Sequence, residues 1–314
     1  MIGVAGASAL WWWVGGRPSA WTEPAVELTA RVCAVVAFAA ALIGAAALPL
    51  RLYLQAAGFA FEGDPVLPLV PRVFATTWGR AFAVQVAAVL VAVVGAALAT
   101  RLMLSQSQSP AGAGAVRAHD IRARRAWLWI GAAGAALAVT PAFMGHAIAT
   151  ASSPTLAIVA DAVHVAASSA WTGGVLILAL ACASVARQQP SQPGGDDTRL
   201  ATRIGALAEL IGGFKPFALG AAATLVASGA ISSWLRLGAP AELFGSDYGR
   251  ILLVKIALVA CAAALGRKHS ATAATQVSGG KVRDVARSIG LEVAFLVLVV
   301  AATALLSGSP PPGE

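Results

Sequence analysis

The chain has 314 residues, of which 58% are hydrophobic and 11% charged, with a formal net charge of +8. Soluble domains carry roughly 25% charged residues, so this composition leaves no room for a soluble catalytic domain and describes a polytopic, all-α integral membrane protein. The Lys and Arg residues stand in short stretches beside apolar segments and form no long basic surface, so the positive charge carries topology rather than nucleic-acid binding.

A spanning helix needs ~20 mostly apolar residues. Segments of that character lie at 1–16, 27–54, 73–101, 126–149, 155–186, 204–235, 248–267 and 285–306, eight in all, the first of them short. Residues 1–16 lack the basic start and small-residue cleavage site of a secretory signal, so they read as a membrane helix or part of one. The 32 glycines suit helices that approach closely in lipid. Cys33, Cys182 and Cys261 all fall within apolar segments, which excludes a secreted disulfide framework and leaves reduced thiols. Stretches 102–125, 187–203 and 267–284 are basic, and the alternate ones, 55–72, 150–154 and 236–247, are neutral or balanced. The basic side is expected to be cytoplasmic, with both termini on the other side.

An internal repeat is visible. Trp13-Val-Gly-Gly16 recurs as Trp171-Thr-Gly-Gly174, and Thr77-Trp-Gly-Arg80 recurs as Asp247-Tyr-Gly-Arg250, in the same order and at similar spacing. A four-plus-four duplication is expected, and an even number of helices per half makes the two halves parallel. Seven residues before Trp171 stands His164, whereas seven before Trp13 stands Gly6 with five residues ahead of it. The first helix is therefore either truncated or truly short.

Ionisable groups inside a membrane are costly, which makes each a functional candidate. His146 closes the fourth segment in Pro141-Ala-Phe-Met-Gly-His146. Asp161, His164, Ser168 and Trp171 follow i, i+3, i+7, i+10 and share one face of the fifth. Imidazole ligates metals, a carboxylate three residues away ligates or orients it, and the Met144 thioether favours Cu(I). Two alternatives stay open: Asp161 and His164 pairing as packing glue, and the two histidines holding a b-type haem. Unequal depth of His146 and His164 favours successive ion sites over a haem. Lys215, Lys255 and Glu292 also fall at membrane depth, and Lys255 and Glu292 are expected to pair, either to fix register or to couple ion movement. Arg80 and Arg250 are expected to snorkel to headgroups. Cys33, Cys182, Cys261 and Met103 read as lying toward the cytoplasmic side, where they would form an exit cluster. No phosphate loop, Cys-x-x-Cys, zinc-protease helix or nucleophile elbow is present, so no enzyme is expected.

The chain resembles the copper resistance protein D family of bacterial membrane proteins (CopD, related to PcoD). The likeness rests on Gly145-His-Ala147, His164-x6-Trp171-x-Gly-Gly174, Ser228-Gly-Ala-Ile-Ser-Ser-Trp234, Tyr248-Gly-Arg-x-Leu-x-x-Lys255, and a last helix with Glu292 ending in Pro310-Pro-Pro312. It divides the chain into 1–125, a first membrane half, and 126–312, a CopD-like region. The resemblance implies a multi-pass plasma-membrane protein that moves copper, Cu(I) favoured, inward through His146, His164, Asp161 and Met144. Trp171, Lys255 and Glu292 would support or couple the movement. A periplasmic CopC-like carrier is the implied partner, and the absence of a His-rich or Met-rich outer segment favours delivery by one. A subunit that only docks such a carrier is the remaining alternative.

Overall fold

The computed structural model describes residues 1–17, 20–61, 64–106, 113–144, 153–188, 197–237, 239 and 241–309, with backbone alone at 104–106, 113–120 and 197. In chain order the helices are α1 (Ile2–Gly15), α2 (Glu23–Ala57), α3 (Val70–Phe74), α4 (Thr77–Gln106), α5 (Ala113–Val139), α6 (Pro154–Ala186), α7 (Asp197–Leu237), α8 (Glu242–Gly245), α9 (Asp247–Ser278) and α10 (Val282–Gly308). Among the described residues each of the eight segments read from hydropathy contains a helix, residues 145–149 of the fourth lying outside them, and no strand occurs. Seven are long and apolar enough to cross a membrane. At 14 residues, α1 spans about 21 Å and falls short of a ~30 Å hydrocarbon core.

The helices form two rings of four. In the first, α1 packs on α2, α2 on α4, α4 on α5 and α5 back on α1; in the second, α6 packs on α7, α7 on α9, α9 on α10 and α10 back on α6. The neighbour order is the same, and α1–α6, α2–α7 and α5–α6 contacts join the rings. Missing side chains permit the joint. A Cβ on Gly6 would sit 2.4 Å from the Ser169 carbonyl oxygen, and one on Gly173 would sit 2.7 Å from the Gly6 Cα. Backbone therefore meets backbone there, as lipid-embedded helices require when dispersion contacts drive their packing. Aromatic layers fill the rest: Trp11 stacks on Trp127 at 4.8 Å between α1 and α5, and Trp13 meets Phe217 at 5.7 Å between α1 and α7.

The repeated Gly-Arg motif has a matching local structure in both rings. Each time a short helix, α3 or α8, turns onto the start of a long one. The Thr76 hydroxyl accepts from Gly79 N at 3.1 Å and donates to the Val73 carbonyl, and the Ser246 hydroxyl accepts from Gly249 N at 3.0 Å and donates to the Glu242 carbonyl. Both are N-caps that satisfy an orphan amide of the long helix. A Cβ on Gly79 would lie 2.1 Å from the Val73 carbonyl oxygen, and one on Gly249 would lie 2.3 Å from that of Glu242. Glycine is needed in both copies because the short helix lies on it.

Helix ends differ from the expected boundaries on the basic side. Among the described residues the stretches read as loops at 102–125 and 267–284 are largely helical and 187–203 is helical from Asp197 on, since α4 runs to Gln106, α5 starts at Ala113, α7 starts at Asp197 and α9 runs to Ser278. Hydropathy marks where lipid ends, but Arg, Lys and Ala propagate a helix already begun. Between α9 and α10 only Gly279, Gly280 and Lys281 are left to turn the chain, with Gly280 at φ 82. That conformation favours glycine.

Gly173→Ala is expected to destabilise the protein by roughly 2 kcal/mol through overpacking of α1 on α6. Gly220, with open space where its Cβ would stand, is expected to gain roughly 0.5–1 kcal/mol on the same substitution. Denaturation in matched detergent compares the two, and equal effects would contradict the close approach.

Candidate functional site

The polar face predicted for α6 is present and has an equally polar partner. On antiparallel α7, Ser228, Ser232 and Arg236 are spaced by four and line one face. Asp161 accepts a hydrogen bond from the Ser232 hydroxyl at 3.0 Å and forms a salt bridge with Arg236. His164 Nδ1 lies 3.3 Å from Ser228 Oγ, which donates to the Thr224 carbonyl at 2.7 Å. Because that hydroxyl spends its hydrogen on backbone, it accepts from the ring, so Nδ1 carries the hydrogen and Nε2 keeps its lone pair. The Leu225 backbone also hydrogen-bonds the ring. Gly229 gives the ring its space, since a Cβ there would lie 3.1 Å from His164 Cε1. Lys255 on α9 is within electrostatic reach of Asp161, His164 and Arg236.

Toward the basic side the α6 face reaches Trp171, which is buried and forms one wall of a cavity of about 300 Å³ enclosed by α6, α7, α9 and α10. Its walls are mainly apolar, with Phe214 and Ile289 among them, and its polar groups include Lys215, Arg267, His269 and Glu292. His269 Nδ1 is 2.7 Å from Glu292 Oε2, and His269 Nε2 is 2.7 Å from Ser288 Oγ. The Glu292 carboxylate packs over Gly266, where a Cβ would come within 3.0 Å of Oε1. His164 stands ten residues after the start of α6 and His269 stands 22 after the start of α9. For two helices running the same way that is about 18 Å of depth.

The expected Lys255–Glu292 pair is not formed. Lys255 belongs to the Asp161–His164 group, and Glu292 takes His269 instead. The cause is the length of α9. With the turn at Gly279 and Gly280 rather than within a long loop, the residue level with Glu292 falls near 268 instead of near 260. His269 was missed because it follows Arg267 and Lys268, where hydropathy signals the end of a span; the charge-free stretch from Ser270 to Gly280 was the only sequence sign. The expected exit cluster is also absent. Cys33 and Cys182 are buried, Cys261 is exposed about midway along α9, and no group of three His, Cys, Asp or Glu gathers among the described residues.

The first ring holds a related but different group. Arg51 on α2 contacts the Gln85 side-chain oxygen on α4, and its Nη2 is 3.4 Å from Met144 Sδ; Gln85 Nε2 is 3.0 Å from Met1 Sδ. Arg51 also lies over the Trp78 ring at 5.7 Å. In the second ring Arg236 interacts with Tyr248 and Lys255. Leu50-Arg51-Leu52 matches Leu235-Arg236-Leu237, Trp78 matches Tyr248 and Gln85 matches Lys255, a sequence signal that extends the repeat once the contacts are known. Of the other candidates, His146, Gly145 and Ala147 lie outside the described residues, as do Pro310 to Pro312.

Residues 208–306 match the model of the family described as Copper resistance protein D. Over that region the chain is similar to the CopD family. The matched CopD region covers most of α7 and all of α8, α9 and nearly all of α10, and so contributes Ser228, Arg236, Lys255, His269 and Glu292, while α6 adds Asp161, His164 and Trp171. The chain is also 29% identical over 178 residues to the Copper transport protein CutJ of Bacillus subtilis (strain 168), a stretch that is 57% of this chain and 30% of that protein. It thus spans under a third of the length of that relative. No solved structure matches the chain.

Arg236→Leu leaves the Asp161 carboxylate without its cation and is expected to cost roughly 3 kcal/mol of stability, with Asp161→Asn/Arg236→Leu recovering most of it. Denaturation of both variants in detergent measures the pair; equal stability of Arg236→Leu and the parent would mean that the bridge contributes nothing.

Proposed function

We propose that this protein carries copper across the bacterial plasma membrane, from the periplasmic side toward the cytoplasm, through the second ring of helices. The reading rests on one observation: beside and within the region that matches the CopD family, the groups able to hold a cation follow one another through a single four-helix ring, from Asp161 and His164, past Trp171, into a cavity on the basic side. Orientation follows from charge. The ends rich in Arg and Lys face the cytoplasm and both termini face out, so the α6–α7 cluster is on the entry side.

Several features support copper as the cargo. His164 supplies an imidazole, a ligand type that suits copper. His146 and Met144 stand ahead of it in sequence at the outer end of the fourth span, and they are assigned to receive the ion, as Cu(I), from a CopC-like carrier. Asp161 supplies negative charge that Arg236 partly neutralises, an arrangement that admits a cation without trapping it. Lys255 on the far wall sets the local potential, and Glu292 belongs to the cytoplasmic stage of the path. The protein acts as a transporter and not as an enzyme. Its two rings descend from a parallel four-plus-four duplication in which only the second retained the ionisable face, since Gly6 stands where the second copy has His164.

Cells producing the protein are expected to accumulate copper, and His164→Ala and His146→Ala are each expected to lower the protein-dependent part at least tenfold at equal membrane abundance. Unchanged accumulation in both variants would refute the assignment. A Soret band in the purified protein would instead support haem binding by the same histidines.

A further inference from the structure

We infer that His269 and Glu292 form a second copper-holding station at the basic end of the cavity, in which the ion is bound by His269 Nδ1 and a Glu292 carboxylate oxygen. The inference rests on the transport reading above and adds a site to it on α9 and α10. Glu292 is buried at 4% exposure and His269 partly buried at 11%, yet both border the cavity that begins at Trp171. The ring is oriented from its other nitrogen by Ser288 Oγ at 2.7 Å, so Nδ1 points at the carboxylate. Such a second contact fixes the direction and basicity of a ligating imidazole. Gly266 leaves the carboxylate free of a neighbouring side chain.

Chemistry and charge are both consistent with a transit site. The hydrogen bond between Nδ1 and Oε2 holds one proton. Monovalent copper replaces it: with Nε2–H donated to Ser288 Oγ, the shared proton leaves Nδ1 and Oε2 for water at the basic side, Nδ1–copper and carboxylate–copper bonds form, the ring stays a neutral imidazole, and no electron moves. The exchange of one positive charge for another keeps the buried pair at the same net charge. Imidazole is a ligand that suits copper, and the carboxylate, a hard oxygen donor, holds Cu(I) only weakly, as a transit site requires. Lys215 on α7 and Arg267 on α9 face the same cavity, while α6 contributes only Trp171, Val175 and Leu178 there. Those two cations oppose long residence and favour release. A pair that merely locked α9 to α10 would need neither the cavity nor the facing cations.

The test counts Cu(I) bound to the full chain in lipid nanodiscs, under reducing conditions, against a chromophoric Cu(I) chelator. His269→Ala and Glu292→Gln are each expected to bind one ion fewer than the parent, or to bind it at least tenfold more weakly. His269→Cys, which keeps a soft ligand, is expected to restore it. Should His269→Ala not fold, Glu292→Gln, of nearly the same shape, decides. Parent-like binding by Glu292→Gln and His269→Ala overturns the inference, and so does a loss that His269→Cys fails to restore. The His164→Ala variant separates the two readings. If it loses a different ion, the outer cluster stands whatever happens at His269; if it loses none while His269→Ala does, the inner station stands and the outer assignment fails.

Discussion

A side chain that carries charge inside a lipid-embedded bundle has no water to turn to, and it stays there only if another helix meets it with a matching group. That constraint arranges the second ring. Asp161 is where it is because Ser232 and Arg236 come to it from α7, and Glu292 is where it is because His269 comes to it from α9. Each pairing fixes the sliding and rotation of two helices at once, since a shift of one residue turns the side chain by about 100° and into lipid. The polar groups thus hold the ring in register.

Small residues do the complementary work. Gly229 and Gly266 stand against the imidazole of His164 and the carboxylate of Glu292, and Gly6 and Gly173 stand against each other where the rings join. A helix in lipid gains little from hydrophobic burial against its neighbour, because the alternative surrounding is equally apolar. Close approach and shape then decide packing, and bulky functional groups need a glycine opposite them. The two rings use the same N-capped glycine at the start of α4 and α9, which fixes how α3 and α8 lie on the long helices. They differ in what they present inside: Arg51, Gln85 and two thioethers in the first, Arg236, Lys255 and the Asp161–His164 face in the second.

Much of this was legible beforehand, and the parts that were not share a cause. Eight helices, the repeat around Gly79 and Gly249, and the face of Asp161, His164, Ser168 and Trp171 all follow from local pattern, because a span must be apolar for about 20 residues and a helix face recurs every three or four. His269 was hidden by its basic neighbours. Lys255 and Glu292 were paired wrongly because pairing depends on where the α9–α10 turn falls, and the polar residues after Gly266 continue the helix for twelve more positions. Arg51 and Arg236 gave no sign of equivalence until their contacts with Trp78 and Tyr248 were seen.

The amino-acid sequence by itself determined that this is a multi-span helical protein, where its long helices lie and which face of α6 is polar. These are properties of a chain segment and the solvent around it, and they need no knowledge of neighbours. Only the tertiary structure decided which helix meets that face, that Glu292 belongs with His269 and not with Lys255, and that Trp171 opens onto a cavity. Those depend on helix length and register across the bundle, where a displacement of one turn, about 5.4 Å, exchanges every partner.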